Sequence, residues 1–74
     1  MWEFGTVTID NQNIEWQAKV FDEGSIFGIK NGRISKLCAR IGDKWIINYD
    51  RGWDIRPKGK IAKKVFGILM KKYK

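Results

Sequence analysis

In IEWQAKV, residues 14–20, the apolar Ile14, Trp16, Ala18 and Val20 alternate with Glu15, Gln17 and Lys19. A period of two marks a strand with one buried face. WEFGTVTID comes before it, and DNQN between them supplies turn residues, so residues 2–21 are expected to form a hairpin. Further along, IFGIKNGRISKLCARIGDKWIINYD is punctuated by Asn31-Gly32 and Gly42-Asp43. Asn-Gly tolerates the positive φ of a tight hairpin turn, so strands are expected near 26–30, 33–41 and 44–50. Alternation puts Leu37, Ala39 and Ile41 on one face and Lys36, Cys38 and Arg40 on the other.

From Pro57 the period changes. Ile61, Ala62, Val65, Phe66, Ile68, Leu69, Met70 and Tyr73 gather on half of a helical wheel. Lys60, Lys63, Lys64, Lys71 and Lys74 share the opposite arc, interrupted by Gly67. Pro lacks only an N–H that the first helical turn leaves unpaired, so the helix is expected over 57–73. Gly67 suggests a close helix-sheet contact or a slight bend. The expected fold class is α+β: a four- or five-stranded antiparallel meander within 2–50, packed on one C-terminal amphipathic helix. Seventy-four residues make a single domain, 1–74, with one thin core.

A composition 43% hydrophobic and 14% aromatic is that of a folded chain. No stretch approaches the roughly 18 apolar residues of a membrane span, and the N-terminus lacks the pattern of a secretory signal, so a cytoplasmic protein is expected. Cys38 is the single cysteine, which excludes an internal disulfide and suits a small buried hydrophobe. Histidine is absent, which removes the commonest metal ligand and general base. The remaining catalytic set, Asp50 and Asp54 with Lys58 or Lys60, would need a pocket that so small a core has little room to build. No catalysis, cofactor or metal is expected.

Charge changes the picture most. Residues 1–29 carry five acids against Lys19, a balance of −4; residues 30–74 carry fourteen Lys or Arg against three acids, a balance of +11. From Ile55 onward there is no acid at all. Such asymmetry points to an anionic partner, either nucleic acid or an acidic protein. The helix dipole explains cations in the last turn, Lys71, Lys72 and Lys74, but disfavours those crowding the first half. The candidate nucleic-acid-binding residues are Arg33, Lys36 and Arg40 on the sheet, Arg51, Trp53 and Arg56 before the helix, and Lys58, Lys60, Lys63 and Lys64 on it. Arg33 and Ser35 share a face that suits a phosphate, although Ser35 can equally bond a neighbouring strand. Trp53 is open to two readings: a base-stacking platform, or a wedge between sheet and helix with Asp50 and Asp54 pairing with Arg51 and Arg56.

DEGSIFGIKNGRISKL and YDRGWD, within residues 5–54, resemble an uncharacterised family of small proteins from Firmicutes phages and mobile elements. The resemblance implies an accessory role there, including inhibition of host defence, and transfers no functional residue. The order of meander and then helix is also similar to the single-stranded-DNA-binding transcriptional coactivators, a likeness of architecture alone. That fold and an exposed sheet edge both suggest a homodimer. The leading expectation is therefore a small, basic, non-catalytic nucleic-acid-binding protein. The alternative is a protein-interaction module that covers an acidic surface of a host protein.

Overall fold

The computed structural model describes residues 1–73; Lys74, placed above on the lysine arc, lies outside the described residues. The strands β1 (Trp2–Ile9), β2 (Gln12–Val20), β3 (Ile34–Ile41), β4 (Lys44–Asp50) and β5 (Trp53–Ile55) form one antiparallel sheet in sequence order. The helix α1 (Gly59–Lys72) follows, which gives the α+β meander expected. Asp10 and Asn11, at φ 52° and 65°, form the two-residue turn between β1 and β2, closed by the pair Ile9 and Gln12. Positive φ at both centres makes it a type I′ turn, whose twist suits a hairpin. Gly42, at φ 57°, opens the turn between β3 and β4.

Residues 26–30 are not a strand. Lys30 and Asn31 take the positive φ (54° and 59°), whereas Gly32 lies at −94°. The tight turn is thus displaced by one residue and becomes a 3₁₀ turn, Ile29–Asn31, inside a loop that closes on itself. Phe21 N–H donates to Arg33 C=O at 2.9 Å and Ser25 N–H to Gly32 C=O at 3.1 Å. Only Ile29 of IFGI enters the core; Ile26 is 82% exposed and Phe27 57%. The Tyr49 hydroxyl pins the loop by donating to Phe27 C=O at 2.9 Å. The fifth strand comes instead from WDI in the joint, where Arg51, at φ 57°, turns the chain back along β4.

One face of the sheet is covered. Ile14 and Ala18 of β2, Leu37 and Ala39 of β3, and Ile47 and Tyr49 of β4 pack under Ala62, Val65 and Leu69 of α1. Each fully buried Ile or Leu contributes about 1.5–3 kcal/mol, so this one layer carries the stability of the domain. Trp53 wedges in with its ring edge-on to Tyr49 at 5.0 Å and to Phe66 at 5.5 Å. At the β1 edge, the Trp16 indole lies over Gly5 and meets Tyr73 edge-on at 6.1 Å. The opposite face stays open and carries Phe4, Glu15, Lys36, Cys38, Arg40 and Trp45, as strand parity requires.

The helix starts two residues later than Pro57 implies. Gly59 sits at φ 78°, a turn that only glycine makes cheaply, and Lys58 caps the helix without a side-chain bond. Ile68, grouped by the wheel with the apolar half, is 45% exposed and lies outward among the lysines. Gly67 makes no close contact with the sheet: a Cβ there would meet nothing within 4 Å. Gly67→Ala is therefore expected to stabilise the fold by about 0.5–1 kcal/mol through helix propensity, read as a higher midpoint in urea with an unchanged slope.

Candidate nucleic-acid interface

Six of the ten candidate residues fall on two opposite surfaces, and the other four, Arg33, Arg51, Trp53 and Arg56, lie in the loop and the joint between them. Lys36 and Arg40 project from the open sheet face, whereas Lys58, Lys60, Lys63 and Lys64 lie on or beside the outer face of α1, across the core. No single flat ligand touches both sets.

The sheet cations already have partners. Arg40 lies directly opposite Glu15 in the β2–β3 register and donates from Nε and Nη2 to Glu15 Oε2 at 3.1 and 2.8 Å. Its guanidinium also sits 5.7 Å from the Trp45 ring centre. Lys36 faces Asp50 across β3–β4, with Nζ 3.7 Å from Oδ1. These are exposed pairs of about 0–1 kcal/mol, but they offset the charge that a phosphate would meet. Arg33 Nε donates to Phe21 C=O at 2.9 Å. The buried Ser35 hydroxyl donates to Lys19 C=O at 3.4 Å, so it braces the neighbouring strand and does not join Arg33 in a phosphate site.

In the joint, Arg51 pairs with Asp50 at 3.6 Å. Arg56 does not pair with Asp54, which instead accepts from the Asn48 amide at 3.3 Å. The Arg56 guanidinium stacks at 5.7 Å from the Trp53 ring centre. With Tyr49, Phe66 and Arg56 around it, Trp53 is a wedge between sheet and helix.

The helix cations are different. Lys58, Lys60, Lys63, Lys64 and Lys71 are exposed, and among the described residues none of them forms an ion pair. Lys60 to Lys71 covers about 16 Å of helix axis at 1.5 Å per residue. The first turn holds no acid, so Lys58 and Lys60 stand against the positive end of the helix dipole. Stability alone would place Ser, Asp or Glu there, which gives the lysines no structural explanation.

Two groups titrate away from their usual range. Burial pushes the Cys38 thiol up, partly offset by Arg40, which keeps it protonated and unreactive near neutrality. Burial raises the Tyr73 phenol too, helped by the charge of the Glu3 carboxylate and by donation to Glu3 Oε1 at 3.4 Å, and opposed by Arg33. Both folded pKa values exceed the unfolded ones, so the fold favours the neutral forms. Their stabilisation is complete below the ordinary thiol and phenol pKa values and is lost as pH rises through the raised ones. Thermal midpoints are accordingly expected to fall above about pH 9, and a Cys38→Ser, Tyr73→Phe double variant to flatten that limb.

Among the described residues no three Cys, Asp or Glu side chains converge to hold a metal ion. No helix there is long and apolar enough to cross a membrane. Sequence reasoning identified the cations but missed the exposed aromatics of the open face, Trp2, Phe4 and Trp45, although their parity with polar neighbours was visible. Comparisons with the curated proteins and with the solved structures found no match. The family model matching residues 1–74 carries the description Domain of unknown function (DUF7678), and the chain belongs to that family.

Proposed function

We propose that the protein is a non-catalytic, cytoplasmic nucleic-acid-binding protein that grips the phosphate backbone with the outer face of α1. The observation that carries this reading is the row Lys58, Lys60, Lys63, Lys64 and Lys71, exposed and without an ion pair among the described residues, with Lys58 and Lys60 set against the helix dipole. Arg56, exposed and two residues before Lys58, adds a cation next to the start of the row, whereas Arg51 is paired with Asp50 beside Lys36 at the far end of β3 and does not join it. Lys36, Arg40 and Trp53 are left out, the first two because they face the other way and the third because it is packed. No exposed aromatic stands on the helix, so contact is with phosphates and carries little sequence information. The resemblance to small proteins of Firmicutes phages and mobile elements supports an accessory role in that biology.

The test is binding of the pure protein to labelled single- and double-stranded DNA and RNA across about 50–300 mM salt. With about five phosphates neutralised, log K should fall against log salt with a slope of about −3.5 to −4.5. No saturable binding at about 50 mM salt would overturn the reading. A second reading, a module that covers an acidic host protein, is favoured by exposed Ile26 and Phe27 on the loop between β2 and β3. Its affinity would rest on that apolar anchor and depend weakly on salt.

A further inference from the structure

The two edges of the sheet are unlike. β5 is three residues long and is followed at once by Arg56 and Pro57, features that blunt an edge. β1 is eight residues long, contains no Lys or Pro, and pairs with β2 without a register shift. Met1 exchanges both backbone bonds with Val20, at 2.8 and 3.0 Å, which sets the phase of the β1–β2 ladder. Glu3, Gly5, Val7 and Ile9 therefore point their N–H and C=O groups at β2, and Trp2, Phe4, Thr6 and Thr8 point theirs outward. Among the described residues no strand pairs with that side. The same four residues aim their side chains at the open face, where Phe4 is 68% and Trp2 42% exposed.

We infer that the outer edge of β1 is a self-association surface, pairing antiparallel with β1 of a second copy so that Gly5 faces Gly5 across a two-fold axis. The register follows from counting. When the residue numbers of facing positions sum to ten, Trp2 faces Thr8 and Phe4 faces Thr6, each twice by symmetry, and these four pairs exchange eight backbone bonds. All outward groups of the four residues are then satisfied. A sum of eight carries Thr8 past the start of β1 at Trp2, and a sum of twelve sets Trp2 against Asp10, which is in the turn and not the strand. Charge agrees: the only ionised side chain of the strand, Glu3, faces Val7 and stands four positions from its own copy, about 14 Å away.

On the open face, Phe4 lies beside Thr6 and diagonal to Phe4 of the second copy, which covers the most exposed aromatic of the sheet. The axis runs perpendicular to the sheet, so the product is a continuous ten-stranded sheet with both helices on one side. Eight bonds fall within the usual count for a specific interface, but an edge covers less than the usual area of about 800 Å² per partner, so a weak dimer is expected. The inference does not depend on nucleic-acid binding.

Sedimentation equilibrium of the full chain at about 5–500 μM should show reversible growth to twice the monomer mass. Thr6→Pro removes an outward N–H without touching the ladder to β2, and should hold the mass at that of the monomer throughout. Thr6→Lys serves if the proline variant does not fold. For the register, Phe4→Cys and Thr6→Cys, each in a Cys38→Ser background, are mixed and oxidised. Facing Cα atoms about 5.5 Å apart allow a disulfide, so the mixed dimer should outnumber both homodimers about tenfold. A monomer at every concentration overturns the proposal, as does preferential cross-linking of either variant with itself. A dimer unaffected by both Thr6 substitutions, with no cross-link, also overturns it by placing association on another surface.

Discussion

Reversing Lys60, Lys63 and Lys64 to glutamate is expected to abolish most nucleic-acid affinity, by about 10²–10³-fold near 0.1 M salt. The magnitude follows from counterion release: three of about five phosphate contacts disappear, each contributing about 0.9 to the slope on duplex DNA. The slope should shrink to about −2 in the same titration. Loss of folding does not explain this result, because an acid at position 60 complements the dipole of α1 by about 0.3–1 kcal/mol and positions 63 and 64 are exposed. Urea denaturation should thus show a variant at least as stable as the wild type. Lys36→Gln, on the far side of the core and already facing Asp50, is the matched control and should lower affinity less than threefold. Equal losses from Lys36→Gln and the triple reversal would move the binding surface off the helix.

The second large effect concerns Gly5. Strand propensity alone predicts that valine in place of glycine stabilises β1 by up to about 1 kcal/mol. Geometry predicts the reverse. A Cβ at residue 5 would stand 2.6, 2.7 and 2.8 Å from Cζ2, Cε2 and Nε1 of Trp16, inside the contact distance of a rigid indole. That ring is held by Tyr73, so it cannot yield without opening the end of the helix-sheet contact. Gly5→Val is expected to cost about 1–3 kcal/mol, the range for an overpacked site. The cause is isolated by a double-mutant cycle with Trp16→Ala, read by urea unfolding. With the indole removed, Gly5→Val should become neutral or stabilising; an unchanged penalty would refute the steric account.

Gly5 also shows what was legible in the sequence. Alternation in IEWQAKV placed β2 and the orientation of its side chains, because one buried face dictates residue type at every second position. A glycine inside WEFGTVTID is compatible with either a bulge or a close approach, and which of the two applies, with Trp16 as the residue approaching it, emerges only from the β1–β2 register. Within the loop of residues 21–33, local pattern suggests a strand near 26–30 and a turn at Asn31-Gly32, because that pair has the composition of a hairpin. The loop backbone uses Lys30 and Asn31 instead, stabilised by its own backbone bonds, by the Tyr49 hydroxyl and by the burial of Ile29. WDI is too short to display a period, so β5 was hidden in what looked like a joint. Gly59 moved the helix start away from Pro57 for a reason local pattern does not carry, a positive φ.

The candidate interface was half visible for a related reason. Counting charges locates every cation in the chain but not the acid beside it. Glu15 lies 25 residues from Arg40 and Asp50 lies 14 from Lys36, and only cross-strand register brings them together. For the helix lysines the sequence excludes only a neighbouring acid on α1 itself, and the fold then brings no acid into an ion pair with them among the described residues.

The segregation of charge by layer acts before any contact forms. Every acid belongs to the sheet, its turns or its loop, and α1 holds none, so the molecule carries an electric dipole directed from sheet to helix. Within a Debye length of about 8–10 Å, a negatively charged surface exerts a torque that turns the helix toward it. Fewer collisions are then wasted on wrong orientations, and the association rate, unlike that of a uniformly charged sphere, carries a directional gain that salt removes.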